Sequence, residues 1–198
     1  SDGVFGIMAN VLATYVILFV LFGAFLESRG AQRFFIDFPL AAVGHRVGGP
    51  AKVSVIASGL FGSISGSAIA NTVSTGAFTI PMMKKAGFRP HIAGGVEPAA
   101  SISGMFMPPI MGAGGFIMAE LTGVPYSKIM LVAIFPAVMY VFSVFVMVHY
   151  EAKMHNIVGE RSEQSAATIL KEQWLYIAPL VVITILMLSG FSPGYSAI

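Results

Sequence analysis

The sequence predicts an all-α integral membrane protein, with transmembrane helices, one re-entrant helical hairpin and one broken helix. Three observations carry this. The chain of 198 residues holds only 11 basic and 9 acidic residues, 10% in all, against about 25% in ordinary soluble domains. Its mean hydropathy of +0.83 is well above the soluble range. Five stretches, Val4–Leu26, Val53–Met83, Pro98–Ala119, Ile129–Val148 and Gln173–Ile198, contain no Asp, Glu, Lys or Arg, and about 20 such residues cross the hydrocarbon as a helix. A soluble globule is excluded. The absence of cysteine excludes a disulfide framework and leaves the redox compartment undetermined. A net charge of +2 invites a nucleic-acid reading, but there is no basic stripe, and basic residues beside apolar spans serve to fix topology. Neither an initiator Met nor a basic leader precedes the first span, so no signal peptide is read. Both ends look like cuts in a longer polypeptide.

Val4–Leu26 reads as a plain spanning helix closed by Glu27, Arg29 and Gly30. Ala31–Gly49 mixes Arg33, Asp37, His45 and Arg46 with Phe34, Phe35, Ile36, Phe38 and Leu40. That is the pattern of a short helix lying in the interface, expected to break at Pro39 and to end at Gly48-Gly49-Pro50. Residues 1–50 are thus a spanning helix plus an interfacial one. Residues 122–150 hold another clean span, Tyr126–Val148. Residues 151–173 are the most polar and form an exposed connector, part of it helical. Residues 174–198 begin a further span, with Trp174 and Tyr176 at interfacial positions.

Residues 51–121 differ. As one helix, the 31 residues of Val53–Met83 would be roughly 46 Å long, against about 30 Å of hydrocarbon. Gly59, Gly62, Gly66, Gly76 and Pro81 make it poor helix material. Its midpoint falls in Ser65-Gly66-Ser67-Ala68-Ile69-Ala70-Asn71, where two arms would meet as a re-entrant hairpin over 52–85. The basic residues test this. If the segment turns back, Arg29, Arg33, Arg46, Lys52, Lys84, Lys85, Arg89, Lys153, Arg161 and Lys171 share one side, and Lys128 stands alone opposite. If it crosses, five face six. The positive-inside rule selects the hairpin, with the basic side cytoplasmic and residue 1 outside.

Such a tip brings together opposite dipole ends. Carbonyls near Ile64 to Gly66 suit a small cation, and amides near Ser67 to Asn71 suit a carboxylate. Ser65, Ser67, Asn71 and Thr72 add neutral polar atoms without a fixed charge. This is the arrangement of midplane sites built from discontinuous helices. The plainer alternative is that Gly62, Ser63, Gly66 and Ser67 are small packing positions between helices. In 90–121, Pro108-Pro109 follows Gly104, and two prolines remove two backbone bonds and disfavour helix before them. The helix is expected to break at 104–109 with free carbonyls facing the tip, a proline kink being the alternative.

Glu97 is the acid deep in an apolar segment, and it either binds a proton or hydrogen-bonds backbone freed by Pro98. His149 reads as interfacial. His45, His91 and His155 have no ligand spacing, so no metal cluster is proposed. Gly62-Ser63-Ile64-Ser65-Gly66 is superficially similar to a nucleophile motif, but His149, its candidate base, lies at a membrane edge.

Several motifs in order resemble the large membrane subunit of the tripartite ATP-independent periplasmic (TRAP) transporters. They are Ser65 to Asn71, Thr75-Gly76, Ile80 to Gly87, Ala93 to Glu97, Met107 to Ala113 and Phe116 to Glu120. Asn71, Glu97 and Met118-Ala119-Glu120, with Leu21 to Glu27 and Gly48 to Lys52, resemble the branch whose small and large membrane subunits are fused. The resemblance implies half of an inverted-repeat, elevator-type secondary transporter: the first repeat and the start of the second. It implies no enzyme activity. It further implies sodium-coupled uptake of organic acids from a periplasmic solute-binding protein, in the cytoplasmic (inner) membrane of a bacterium or archaeon. The small membrane subunit and the lipid bilayer would be its other partners, with no nucleic acid and no cofactor beyond the coupling sodium ion. Carried over, it nominates Ser65, Ser67, Asn71, Gly104, Met107 and Pro108 for sodium, the last three mainly through carbonyls. It nominates Ser67, Asn71 and Thr72 for the substrate carboxylate. The alternatives are a non-transporting scaffold or packing module, and an ion-coupled carboxylate transporter without a binding protein.

Overall fold

The computed structural model describes residues 6–159 and 164–196. The first residues of the opening span, Arg161 and the last two residues lie outside that range. The opening span is one rod. Helix α1 (Ile7–Val11) passes through a π turn (Leu12–Val16) into α2 (Ile17–Ser28). Val11 and Val16 at the joins keep right-handed helical angles. Among the described residues, Ala9–Ser28 and α8 (Tyr126–Met154) are long and apolar enough to cross a membrane.

Helix α3 (Ala31–Val43) runs straight through Pro39, which corrects the expected interruption. Proline forfeits one i to i−4 bond, and here packing offsets that loss. Phe34 and Phe35 are fully buried. Phe35 meets Phe61 edge-on at 6.4 Å, and Phe34 stacks on Phe38 at 5.8 Å. Gly49-Pro50, expected to close the interfacial segment, instead opens α4 (Gly49–Ser65). Proline at a helix start has the right φ and loses an N–H that would have no partner anyway.

Helices α4 and α5 (Ala68–Lys85) form an antiparallel hairpin joined by Gly66-Ser67 alone. Residues 68–71, expected in the tip, are already helical. Helix α6 (Pro90–Ser101) follows, then a 3-10 turn (Ile102–Met105), non-helical backbone through Gly112, and α7 (Ala113–Thr122). The break is therefore longer than 104–109. It starts at Ile102, before either proline, and ends after Met111, whose φ of 55° is left-handed. Helix α8 continues to Met154, so the first turn of the connector belongs to it. Helix α9 (Ala166–Gln173) and α10 (Ala178–Leu188) flank a 3-10 turn at Trp174–Tyr176 and bend by 62°. A short helix, α11 (Pro193–Ser196), ends the described chain.

Two apolar cores hold these pieces. Phe19, Phe61, Ile64, Ile110, Phe116 and Tyr126 join the rod, the hairpin tip, the break and the start of α8. Val55, Met83, Phe88, Val96, Val144 and Val148 join the base of the hairpin to α6 and the far end of α8. In lipid, such contacts stabilise by close packing more than by expelling water, so small residues at crossings matter as much as large ones.

A candidate transport site at the hairpin tip

The tip is built by backbone geometry. Gly66, at φ 60° and ψ 4°, ends α4. A Cβ there would strike the carbonyl oxygen of Met111, and L side chains disfavour that φ. Ser67 caps α5: its Oγ accepts the Ala70 N–H at 3.3 Å and its carbonyl accepts the Asn71 N–H at 3.0 Å. Four residues earlier, Gly62 meets Gly104 backbone to backbone, and a Cβ on Gly62 would lie 2.5 Å from the Gly104 Cα. The break is tied to itself and to α4. The Gly112 N–H donates to the Met105 carbonyl at 2.8 Å, Met111 N–H to the Met107 carbonyl at 3.3 Å, and Ile110 N–H to the Ser63 carbonyl at 3.3 Å. The Tyr126 hydroxyl reaches across from α8 to the carbonyls of Pro109 and Ile110.

Between tip and break lies a cavity of about 360 Å³, lined among others by Ser65, Ser67, Met105, Met111, Gly112 and Phe116. Of the residues nominated from the sequence, Ser65 and Ser67 line it. Asn71 stands behind it, fully buried, its Nδ2 donating to the Ser58 carbonyl at 2.8 Å and the Ser101 carbonyl at 3.3 Å. Thr72 points elsewhere. Its hydroxyl donates to the Ala68 carbonyl at 2.8 Å, and it lines a separate apolar groove with Ile69, Val73, Pro98 and Ile102. Gly104 is spent on the crossing with Gly62. Met107 gives its carbonyl to Met111, and Pro108 is half-buried in the break. The break therefore meets the tip chiefly through Met105 and Ile110 to Gly112, the side the sequence reading passed over.

Glu97 is the second polar centre. It is fully buried, and its carboxylate accepts from five hydroxyls. Ser54 donates at 2.6 Å, Ser58 at 2.9 Å and Ser101 at 3.3 Å, with Thr75 and Thr79 in closer contact. The sequence allows Glu97 two roles, proton binding or bonding backbone freed by Pro98, and the hydrogen bonds seen are to side-chain hydroxyls. The side chain points instead toward the α4–α5 seam, its Cγ 3.0 Å from where a Gly76 Cβ would stand. The five hydroxyls were readable. Ser54 and Ser58, Thr75 and Thr79, and Glu97 and Ser101 are i, i+4 pairs, each on one helix face. The pairs on α4 and α5 are equidistant from the turn, so folding the hairpin at Gly66-Ser67 places them opposite one another.

His149, near the end of α8, is engaged by a neighbour. Its Nδ1 lies 3.0 Å from Lys52 Nζ, and that ammonium also sits 5.1 Å from the centre of the Phe145 ring. The Ser63 hydroxyl donates to the Leu60 carbonyl, and His149 is engaged elsewhere, so the protease-like motif has no partner base here.

The sequence of this chain matches a known family. Residues 2–198 match the family model described as the tripartite ATP-independent periplasmic transporter, DctM component. The chain belongs to that family. It is 29% identical over 179 residues to a putative TRAP transporter large permease protein of Haemophilus influenzae, covering 89% of this chain and 40% of the relative. It is 26% identical to the 2,3-diketo-L-gulonate TRAP transporter large permease protein of Escherichia coli, with the same coverage of 89% and 40%. It is 27% identical to the sialic acid TRAP transporter permease protein of Haemophilus influenzae, covering 91% of this chain and 29% of that one. The chain thus spans 40% or less of these relatives. This TRAP permease piece is an integral membrane protein and not an enzyme. The sequence resemblance to the large permease subunit holds.

Proposed function

We propose that the protein containing this chain takes up organic acids, coupled to sodium entry, with substrate delivered by a periplasmic solute-binding protein. The observation that carries the reading is the cavity between the hairpin tip and the break, lined by Ser65 and Ser67 and by bared backbone. Neutral hydroxyls, helix ends and unwound carbonyls bind a small cation and a carboxylate together without a permanent charge in the membrane. The acids named for two relatives, 2,3-diketo-L-gulonate and sialic acid, support the substrate class. Sodium is assigned to Ser65, Ser67 and carbonyls of the break from Gly104 through Met107 and Pro108 toward Met111. The carboxylate is assigned to the start of α5 at Ser67. Asn71 acts from behind by holding α4 and α6 to the tip, and Thr72 by shaping the second groove.

Lengths support re-entry. The arms of 17 and 18 residues are about 26 Å long, against about 43 Å for the 29 residues of α8. The shortfall is close to the roughly 15 Å of α7, which has 10 residues and continues past the tip. A tip that turns back short of the outer face, the described basic residues other than Lys128 on the cytoplasmic face and the amino-terminal end outside make one consistent topology for the inner membrane. The parent polypeptide would carry the small membrane subunit fused to it, and the second repeat would complete the site. The test is uptake by the intact transporter with its binding protein in proteoliposomes, with and without a sodium gradient. Ser67→Ala and Asn71→Ala are expected to abolish sodium-driven uptake, and unchanged uptake would sink the assignment.

A further inference from the structure

We propose that Glu97 is a reversible proton-binding site whose occupancy is transmitted to the hairpin tip through Thr75 and Asn71. The hydrogens around Glu97 can be counted. A carboxylate only accepts, and each hydroxyl has a single hydrogen to give. With Glu97 ionised, Ser54 and Thr79 donate to one oxygen, and Ser58, Thr75 and Ser101 to the other. A cage with only this arrangement would be a fixed structural clasp. Here, however, the threonines also have a second acceptor. Thr75 Oγ1 lies 2.7 Å from the Asn71 carbonyl oxygen, and Thr79 Oγ1 lies 3.1 Å from that of Thr75. Ser58 likewise has Thr75 Oγ1 at 3.2 Å.

Protonation therefore leaves no polar atom stranded. A solvent proton adds to one Glu97 oxygen, and the new O–H donates to Thr75 or Thr79. That hydroxyl turns its own hydrogen to the carbonyl one turn back, and no covalent bond other than the new O–H forms or breaks. Both states satisfy every group, which is the condition for a buried site to change occupancy without unfolding its surroundings.

The charge environment agrees. Among the described residues, the ion pairs are Arg89–Glu151 and His155–Glu151, neither involving Glu97. On the elements packed against α6, the charged and titratable groups are otherwise engaged or at the ends. Lys52 of α4 is held by His149 of α8, and Tyr140 of α8 donates to the Ala99 carbonyl. Lys84 and Lys85 close α5, His91 opens α6 beside exposed Arg89, and Lys128, Tyr150 and Lys153 lie toward the two ends of α8. Among the described residues no cation is paired with Glu97, and the five hydroxyls are its partners. The same switch reaches the transport site. Thr75 Oγ1 lies 3.4 Å from Asn71 Oδ1, and the Asn71 amide clamps the Ser58 and Ser101 carbonyls behind the tip. The ladder from Thr79 to Asn71 spans eight residues of α5, or about 12 Å of its axis.

The test uses the purified full-length transporter. Infrared spectra recorded through a pH titration should show a protonated-carboxyl C=O band that is lost in Glu97→Gln. Thr75→Val keeps the carboxyl and removes one hydroxyl that serves both states, so it should displace the pH at which that band appears. In proteoliposomes, wild-type uptake should respond to pH and Glu97→Gln should lose that response. A carboxyl spectrum unchanged in Glu97→Gln, or unmoved in Thr75→Val, overturns the proposal. The second readout rests on the transport reading, but the first does not. A Glu97 band without any uptake would uphold the proton site and refute transport.

Discussion

Helix α4 meets the 90–112 segment twice, once at the break and once on α6, and the two meetings are made of different material. Near the tip, Gly62 and Gly104 touch through bare backbone, and Gly66 rests on Met111 and Gly112. Eight to thirteen residues from the turn, α4 and α6 are joined by side chains, Ser54 and Ser58 donating to Glu97. The first contact leaves a cavity and partly exposed hydroxyls. The second is fully buried, and its polar side chains are all hydrogen-bonded. A backbone contact selects by shape and tolerates no added atom. A side-chain cage selects by chemistry and tolerates a change of proton occupancy. The tip is thus suited to ligands that come and go, and the cage to holding the frame that presents it.

The largest effect expected from breaking this contrast is at the crossing. Gly62→Ala or Gly104→Ala puts a methyl against backbone that cannot step aside, so destabilisation should exceed the roughly 1–3 kcal/mol usual for overpacking. Loss of monodisperse protein in detergent is the readout, and normal thermal unfolding would show that the helices can part. Next is Glu97→Leu, which removes the acceptor shared by five buried hydroxyls. Three of these have another acceptor, so about 1–3 kcal/mol per group left unsatisfied falls mainly on Ser54 and Ser101. Thermal unfolding should drop, with the tip still able to form. Asn71→Ala should cost about 1–3 kcal/mol by removing the two bonds that tie α5 to the Ser58 and Ser101 carbonyls, at about 0.5–1.5 kcal/mol each, a smaller fall in the same assay. Thr72→Val should be smallest. Its hydroxyl serves only the Ala68 carbonyl, a helix acceptor already bonded, so stability should change by less than about 1 kcal/mol. A large loss of uptake from that variant would move the substrate toward the second groove.

How much was legible follows the same division. The hairpin was readable because its cause is global: too many residues for one span, a glycine-serine midpoint and a lopsided distribution of basic residues. The double proline announced the break, although not that the helix would loosen at Ile102 or recover only after Met111, since the segment between them is held by contacts of Gly104, Ile110 and Met111 with Gly62, Ser63 and Gly66. Pro39 misled because a lost backbone bond is a local penalty, whereas the burial of Phe34 and Phe35 that outweighs it is tertiary. Asn71 and Thr72 follow each other in sequence near the tip, yet a helix turns successive residues by about 100°. One faces the seam and the other the groove. The cage was written in three i, i+4 pairs, but their convergence on Glu97 needed the fold of the hairpin.

The central claim is that the cavity between tip and break holds the coupling sodium ion, and Ser65→Ala tests it most directly. The Ser65 side chain has little structural work, since its Oγ accepts only a long bond from the Ser67 N–H at 3.5 Å. Removing it should leave thermal unfolding of the full-length transporter unchanged. The account predicts that the sodium concentration for half-maximal uptake then rises by about tenfold, the equivalent of one lost ligand worth roughly 1.4 kcal/mol. A sodium dependence superimposable on wild type would contradict it.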